Sequence, residues 1–287
     1  MYRDKIYDLG DSIEHELCYA GALGGKREKR GARQRQTSEA QQRINQRKKE
    51  TFIRRKIAMN FRARDLWITL KYPKGTRKSI REVLKDWSAF YRRMRAAYKR
   101  LEVPFRYIYR IEIGKLGGIH IHLIANRIEG MDTGLLVNDC WTEARHRDDP
   151  DPKELVGRMN GYADIDYLYD SGDYEKLAAY IVKAPESDDG QMYFDFPGIA
   201  EKKAFMKYSC SRNLKNPEPV VKEYRHWTMR RILEDGPKPR PGYYIDPDSI
   251  WQGINPYTGW SYYQYREVRC RSGGGIWSPG KEDQWSM

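Results

Sequence analysis

The stretch "FRYIYRIEIGKLGGIHIHLIAN" (Phe105–Asn126) decides how this chain is read. Its two halves have the short, β-rich composition of strands, and "KLGG" between them is the Gly-containing connection a hairpin uses. In a strand, residues i and i+2 point the same way. His120 and His122 therefore share one face, while Ile119, Ile121 and Leu123 take the other. A turn centred near Leu116 sets Glu112 opposite His120 with its carboxylate on the histidine face. A one-residue slip would undo this. Two imidazoles and a carboxylate form a ligand set for one divalent ion, Mn²⁺ or Mg²⁺, with positions left open for a substrate. Taken alone, an HxH pair is equally compatible with two histidines decorating the polar face of a hairpin.

Working outward, "DLWITLKYP" (Asp65–Pro73) alternates Leu66, Ile68, Leu70 and Tyr72 with Trp67, Thr69 and Lys71, a half-buried strand ended by proline. Ile80, Val83, Leu84, Trp87, Phe90, Tyr91 and Met94 recur at helical spacing after it. Beyond the hairpin come a helix over Asp132–Arg145, a strand at "GYADIDYL", a helix at "DYEKLAAYIVKA" capped by Asp173, and a last strand at "KAFMKYSCS". With Asp132–Arg145 set aside as an insert, the order implies an α+β fold. Its core is a βαββαβ, ferredoxin-like or RRM-like antiparallel sheet with helices on one face.

Charge separates the amino-terminal part from this core. Of the formal net charge of +13, the segment Lys26–Arg64 carries +12, from fifteen Lys or Arg against Glu28, Glu39 and Glu50. Such a field favours a polyanion through counterion release from phosphates; a solvated arm that aids solubility is the plain alternative. A helix is expected over Ser38–Met59, with Ser38 and Gln41 as a capping box and sparse apolar residues Ile44, Ile53 and Ile57. The expected phosphate contacts are Arg54, Arg55, Lys56, Arg62 and Arg64, with Lys71 on the following strand. From Pro217 the chain holds eight of its fourteen prolines and dense aromatics, as in "NPYTGWSYYQY". The expected divisions are a basic, partly helical extension over 1–64, a catalytic domain over 65–216, and an irregular accessory tail over 217–287. The scattered cysteines Cys18, Cys140, Cys210 and Cys270 have no metal spacing and read as reduced, buried thiols. No apolar run is long enough to span a bilayer, and the first residues lack a secretory pattern, so a cytoplasmic protein is expected.

In "KLAAYIVKA", Leu177 and Ile181 at i, i+4 face the sheet, while Tyr180 and Lys183 at i, i+3 share a neighbouring face. A tyrosine hydroxyl can attack a phosphodiester, but a pKa of about 10 makes it a poor nucleophile unaided. A nearby ammonium and a cation that polarises the phosphate supply what it lacks. Among 22 tyrosines, one half-buried aromatic on a helix is also an ordinary finding.

Together, "DLWITLKYP", "GGIHIHLIAN" and "LAAYIVKAP", in this order, resemble the three motifs of the HUH endonucleases. More narrowly, they resemble single-tyrosine initiators of rolling-circle replication from bacterial plasmids and small phages. "INQRKKETFIRRKIAMNF", "SRNLKNPEPV", "GYYIDPDSI" and "NPYTGWSYYQY" are similar to the same bacterial branch, in which a second threonine more often stands at Lys71. The resemblance covers most of the chain from about Asn45. It implies that His120 and His122, with Glu112 as third ligand, hold the metal, and that Tyr180 attacks single-stranded DNA at a stem-loop origin. The products would be a 5′-phosphotyrosine and a 3′-OH primer, with Lys183 holding the phosphate or assisting Tyr180. A separate host helicase and polymerase would be the partners, in the bacterial cytoplasm.

Two other readings stand beside this one: a single-tyrosine HUH transposase, and a non-catalytic, RRM-like binder of single strands that uses exposed aromatics. "GIWSPGK" (Gly275–Lys281) fits a phosphate-loop pattern by chance, since Glu282 replaces the Ser or Thr that would meet Mg²⁺. His15, His146 and His226 are isolated and read as surface or structural.

Overall fold

A computed structural model of the chain describes residues 1–21, 39–73, 75–114, 118–141, 161–169, 174–183, 207–255 and 259–270. In chain order the elements begin with β1 (Tyr2–Asp8), β2 (Ser12–Tyr19), α1 (Glu39–Asn60), β3 (Leu66–Lys71), α2 (Ile80–Arg100), β4 (Tyr107–Ile113) and β5 (Ile119–Ala125). They continue with α3 (Thr133–Cys140), β6 (Tyr162–Tyr167), α4 (Glu175–Val182), β7 (Ser209–Cys210), β8 (Val220–Tyr224), α5 (His226–Asp235), β9 (Tyr243–Ile254) and β10 (Ser261–Arg269). The fold is mixed α+β, with two antiparallel five-stranded sheets. The chain divides into two compact units, one of Met1–Glu28 with Glu218–Met287 and one of Lys29–Pro217.

In the second unit the strand order is β6-β3-β5-β4-β7. The α2 crossover from β3 to β4 skips β5, and the path from β5 through α3 to β6 skips β3. Alternation dictates two faces. Leu66, Ile68, Leu70, Ile111, Ile121 and Leu123 point one way and pack against Val83, Trp87, Phe90 and Met94 of α2. Val137, Cys140 and Trp141 at α3 join that same cluster. A capping box starts α2: the Ser79 hydroxyl accepts from Glu82 N, and the Glu82 carboxylate accepts from Ser79 N. Asp132 caps α3 by accepting from Gly134 N and Leu135 N. Because it packs in the main core, α3 is a crossover helix of the sheet rather than an insert.

Helices cover both faces, not one as expected. Ile108 and Ile124 on the second face pack against Ile53, Ile57 and Phe61 of α1 and Ala178 and Ile181 of α4. Fully burying each such aliphatic side chain is worth about 1.5–3 kcal/mol, enough to hold a largely polar helix on the sheet. Ile44, the other sparse apolar residue of α1, stays exposed. The expected cap residues Ser38 and Asp173 lie outside the described residues, as do Gly275–Lys281 and His146.

The first unit overturns the reading of an irregular tail. Its sheet runs β8-β1-β2-β10-β9, so the opening hairpin sits between strands more than 200 residues away in sequence, such as Arg3 against Glu223 at a separation of 220. Gly10, with φ +92°, makes the β1–β2 turn, a conformation that a side chain would strain. Pro247 is tolerated because β9 is an edge strand whose ladder is interrupted opposite Gln264–Arg266. The expected extension 1–64 is accordingly shared between the two units. His15 is structural: it is buried, stacked on Tyr265, and its Nδ1 stands 2.8 Å from Asp4 Oδ2. All four cysteines are free, but Cys270 is exposed rather than buried.

Candidate active site

The hairpin register pairs Glu112 with His120 and Arg110 with His122. On the other side of β5, Thr69 lies opposite His122 and Lys71 opposite His120. All six side chains belong to the face that α1 and α4 cover, whose apolar end is Ile108 and Ile124 and whose polar end is this group. Helix α4 buries Ala178, Ile181 and Val182 there and leaves Tyr180 half-buried over the histidine strand.

The contacts at Tyr180 are short. Its Oη donates to Glu112 Oε2 at 2.5 Å and lies 2.7 Å from His122 Nε2. His122 Nε2 is itself 3.0 Å from Glu112 Oε2. On the far side of the imidazole, Thr69 Oγ1 stands 3.2 Å from Nδ1, so the hydroxyl donates there when Nε2 carries the proton. Trp67 stacks on His122 with ring centroids 5.5 Å apart and meets Tyr180 edge-on at 5.7 Å. This side chain and Thr69 fix the imidazole plane.

Electrostatics follow from these neighbours. The hydrogen bond from His122 holds the Glu112 carboxyl down to about 2, against the opposing effect of burial, with Tyr180 and Arg110 adding to it. Burial pushes the Tyr180 phenol up, and the Glu112 carboxylate pushes it further. Burial also lowers His120, with His122 and Lys71 acting in the same direction, so its imidazole is neutral near pH 7.

The structure brings Glu112, His122 and Tyr180 together. His120 shares their face, but its ring centroid is 6.3 Å from that of His122, and among the described residues no group of three or more His, Cys, Asp or Glu closes as a metal site. The donors nevertheless suit a divalent ion: an ionised carboxylate and two imidazoles, with His120 Nδ1 buried and lacking any hydrogen-bond partner. Lys183 is not on the helix with Tyr180. It follows the last turn with φ −46° and ψ +125°. Lys71 is ion-paired with Asp164.

Among the expected phosphate contacts, Arg62 and Arg64 are exposed, and Arg54 and Lys56 are half-buried. Arg55 is 7% exposed, and that expectation is corrected, because its place beside Ile53 and Ile57 turns it into the protein. Sequence reasoning missed Arg110, Thr69 and Trp67. The period of two that paired Glu112 with the histidine face carries Arg110 on the same face, and the one that set Lys71 apart carries Trp67 and Thr69.

Residues 65–185 match the family model of a replication-associated protein, the ORF2 type. That segment runs from just before β3 to just after α4 and contains all of the side chains at the site. The similarity is to proteins of replication and is compatible with an endonuclease-type initiator. No curated protein and no solved structure matches the chain. Among the described residues, no helix is long and apolar enough to cross a membrane.

Proposed function

We propose that the chain is an initiator of rolling-circle replication that nicks and rejoins single-stranded DNA through Tyr180. The supporting observation is one contact: the Tyr180 hydroxyl lies within 2.7 Å of His122 Nε2 and 2.5 Å of Glu112 Oε2, on the HxH strand and its hairpin partner. The β6-β3-β5-β4 order, with its split crossovers, accords with a ferredoxin-like core of the HUH kind.

In this reading Tyr180 Oη forms a bond to the scissile phosphorus as the P–O3′ bond breaks. The phenol proton passes to the carboxylate it already faces, and the departing 3′ oxygen ends as a hydroxyl that a polymerase can extend. Attack by a free 3′-OH on the phosphotyrosine reverses the step and joins ends. Exchanging one phosphoester for another needs no nucleotide cofactor. Glu112, His120 and His122 would hold a divalent cation, Mn²⁺ or Mg²⁺, which polarises the phosphate when bound. Thr69 and Trp67 orient His122 from behind. At rest the buried phenol stays protonated beside Glu112, so Tyr180 is unreactive in the absence of substrate.

The basic residues of α1, with Arg62 and Arg64 after it, would track the phosphates on either side of the nick, and Lys71 beside His120 would meet one of them. The DNA partner would be a single-stranded, stem-loop origin, with unwinding and extension left to separate host proteins in the bacterial cytoplasm. Incubation with stem-loop oligonucleotides and Mn²⁺ tests this reading. An SDS-resistant protein–DNA band that Tyr180→Phe and EDTA each abolish is the expected result. Tight binding with no such band on a substrate set that includes the element's own origin would favour a non-catalytic binder.

A further inference from the structure

Helix α4 carries the nucleophile of the proposed reaction, yet it has only 8 residues, too few to be stable on its own. Its last carbonyls have no partners within the helix. Two side chains from other elements take them. Arg110 on β4 is 2% exposed, and its Nη1 donates to the Tyr180 carbonyl at 2.9 Å and the Ile181 carbonyl at 3.3 Å. Gln46 on α1 donates through Nε2 to the Val182 carbonyl at 2.9 Å. The chain then turns away at Lys183.

We propose that Arg110 is a positioning residue for Tyr180: with Gln46 it pins the carboxyl end of α4, so that the phenol falls on Glu112 and His122. The inference rests on the reading of Tyr180 as the nucleophile. Arg110 lies two residues from Glu112 on the same strand face and is the register partner of His122. One strand pair thus fixes both the expected ligands and the backbone of the tyrosine. A cation at a helix carboxyl terminus also satisfies the negative end of the helix dipole. Arg110 Nε is buried without a hydrogen-bond partner. A buried guanidinium with an unmatched donor is a poor filler of space, which singles out the carbonyl contacts as its role. Its burial keeps it from DNA, so it acts through the backbone of Tyr180.

The test uses the full chain labelled with 3-fluorotyrosine, the Tyr180 signal being identified by its loss in Tyr180→Phe. Single-turnover adduct formation is followed in parallel with Mn²⁺ and a pool of stem-loop oligonucleotides. Lysine keeps the charge but not the fork. Arg110→Lys is therefore expected to shift or broaden the Tyr180 fluorine signal. It should lower the rate at saturating DNA about 10–100-fold and change half-saturation by less than about twofold. Gln46→Ala removes one hydrogen bond and should lower the same rate about fivefold. An unchanged signal and rate in Arg110→Lys overturn the inference. A loss shared equally by rate and affinity, with a broadened unfolding transition, marks a merely structural residue and also overturns it. Should Arg110→Lys fail to fold, Gln46→Ala decides, an unchanged rate and signal counting against the inference. If the unaltered chain forms no adduct while the fluorine signal still follows Arg110, the nicking reading fails and the pinning of Tyr180 stands.

Discussion

Tyr180 and Glu112, 68 residues apart in the chain, meet through a 2.5 Å hydrogen bond from the phenol to the carboxylate. The contact joins a helix to a hairpin strand and requires the hairpin register that sets Glu112 beside His120. Everything proposed for the site depends on that meeting, and the side chains around it can each be tested separately.

Thr69 holds the Nδ1 side of His122 at 3.2 Å. Thr69→Val removes the hydroxyl while keeping the branched shape. Partners of this kind behind a metal-binding histidine typically matter 10–100-fold, so a loss of about that size in Mn²⁺ affinity or nicking rate is expected. Isothermal titration with Mn²⁺ and single-turnover cleavage measure it. Wild-type values in both would remove Thr69 from the account.

Ile181, 1% exposed, is the side chain that seats α4 on the sheet beside Ile57 and Ile124. Ile181→Ala should destabilise the unit by about 2–5 kcal/mol, from lost transfer energy and the cavity left behind. Urea unfolding reads this directly. A loss under about 1 kcal/mol would mean that the site can collapse around the smaller side chain.

Gly161 enters β6 with φ +150°, and a Cβ there would stand 1.7 Å from the Lys71 carbonyl oxygen. No rotamer relieves a clash with backbone, so Gly161→Ala must displace the start of β6 from the end of β3. The expected cost is at least about 1–3 kcal/mol, the usual range for one residue forced into a sparsely populated conformation. Nicking should fall with it, because Lys71 lies opposite His120. A variant of unchanged stability and activity would contradict this placement.

Arg62 and Arg64 are exposed at the turn between α1 and β3. If each meets a phosphate of single-stranded DNA, Arg62→Ala with Arg64→Ala should flatten the slope of log K against log salt by about 1.4. Fluorescence anisotropy over a salt series gives the slope. A uniform loss of affinity with the slope unchanged would point to a disturbed fold instead.

Local periodicity made the core of the site legible in the sequence. The alternation of Ile119, His120, Ile121 and His122 fixed their faces, and one hairpin connection was short enough to carry the register to Glu112. Tyr180 was found because helical spacing put Ile181 on the sheet beside it. What stayed hidden depends on which elements become neighbours. Thr69 and Trp67 reach His122 only because β3 lies between β5 and β6, and strand order is not a local property. Arg110 looked like any polar strand residue until α4 came to rest above it. Lys183 was placed on the helix by spacing alone, although Ala184 and Pro185 follow it, and a residue just before proline resists the helical conformation. The first unit was missed for a related reason. Its strands pair across most of the chain, and buried Asp4, Glu14, His15 and Glu267 break the apolar alternation that would have announced them.

The most direct test of the central claim is to find the atom that holds the DNA. The covalent product formed with Mn²⁺ and a cleavable stem-loop oligonucleotide would be digested with protease and nuclease, and the remaining nucleotide located by tandem mass spectrometry. The account predicts a 5′-phosphodiester on the oxygen of Tyr180, with a free 3′-OH on the released strand. A nucleotide on any other residue, or a 3′-phosphate on the released strand, would contradict it.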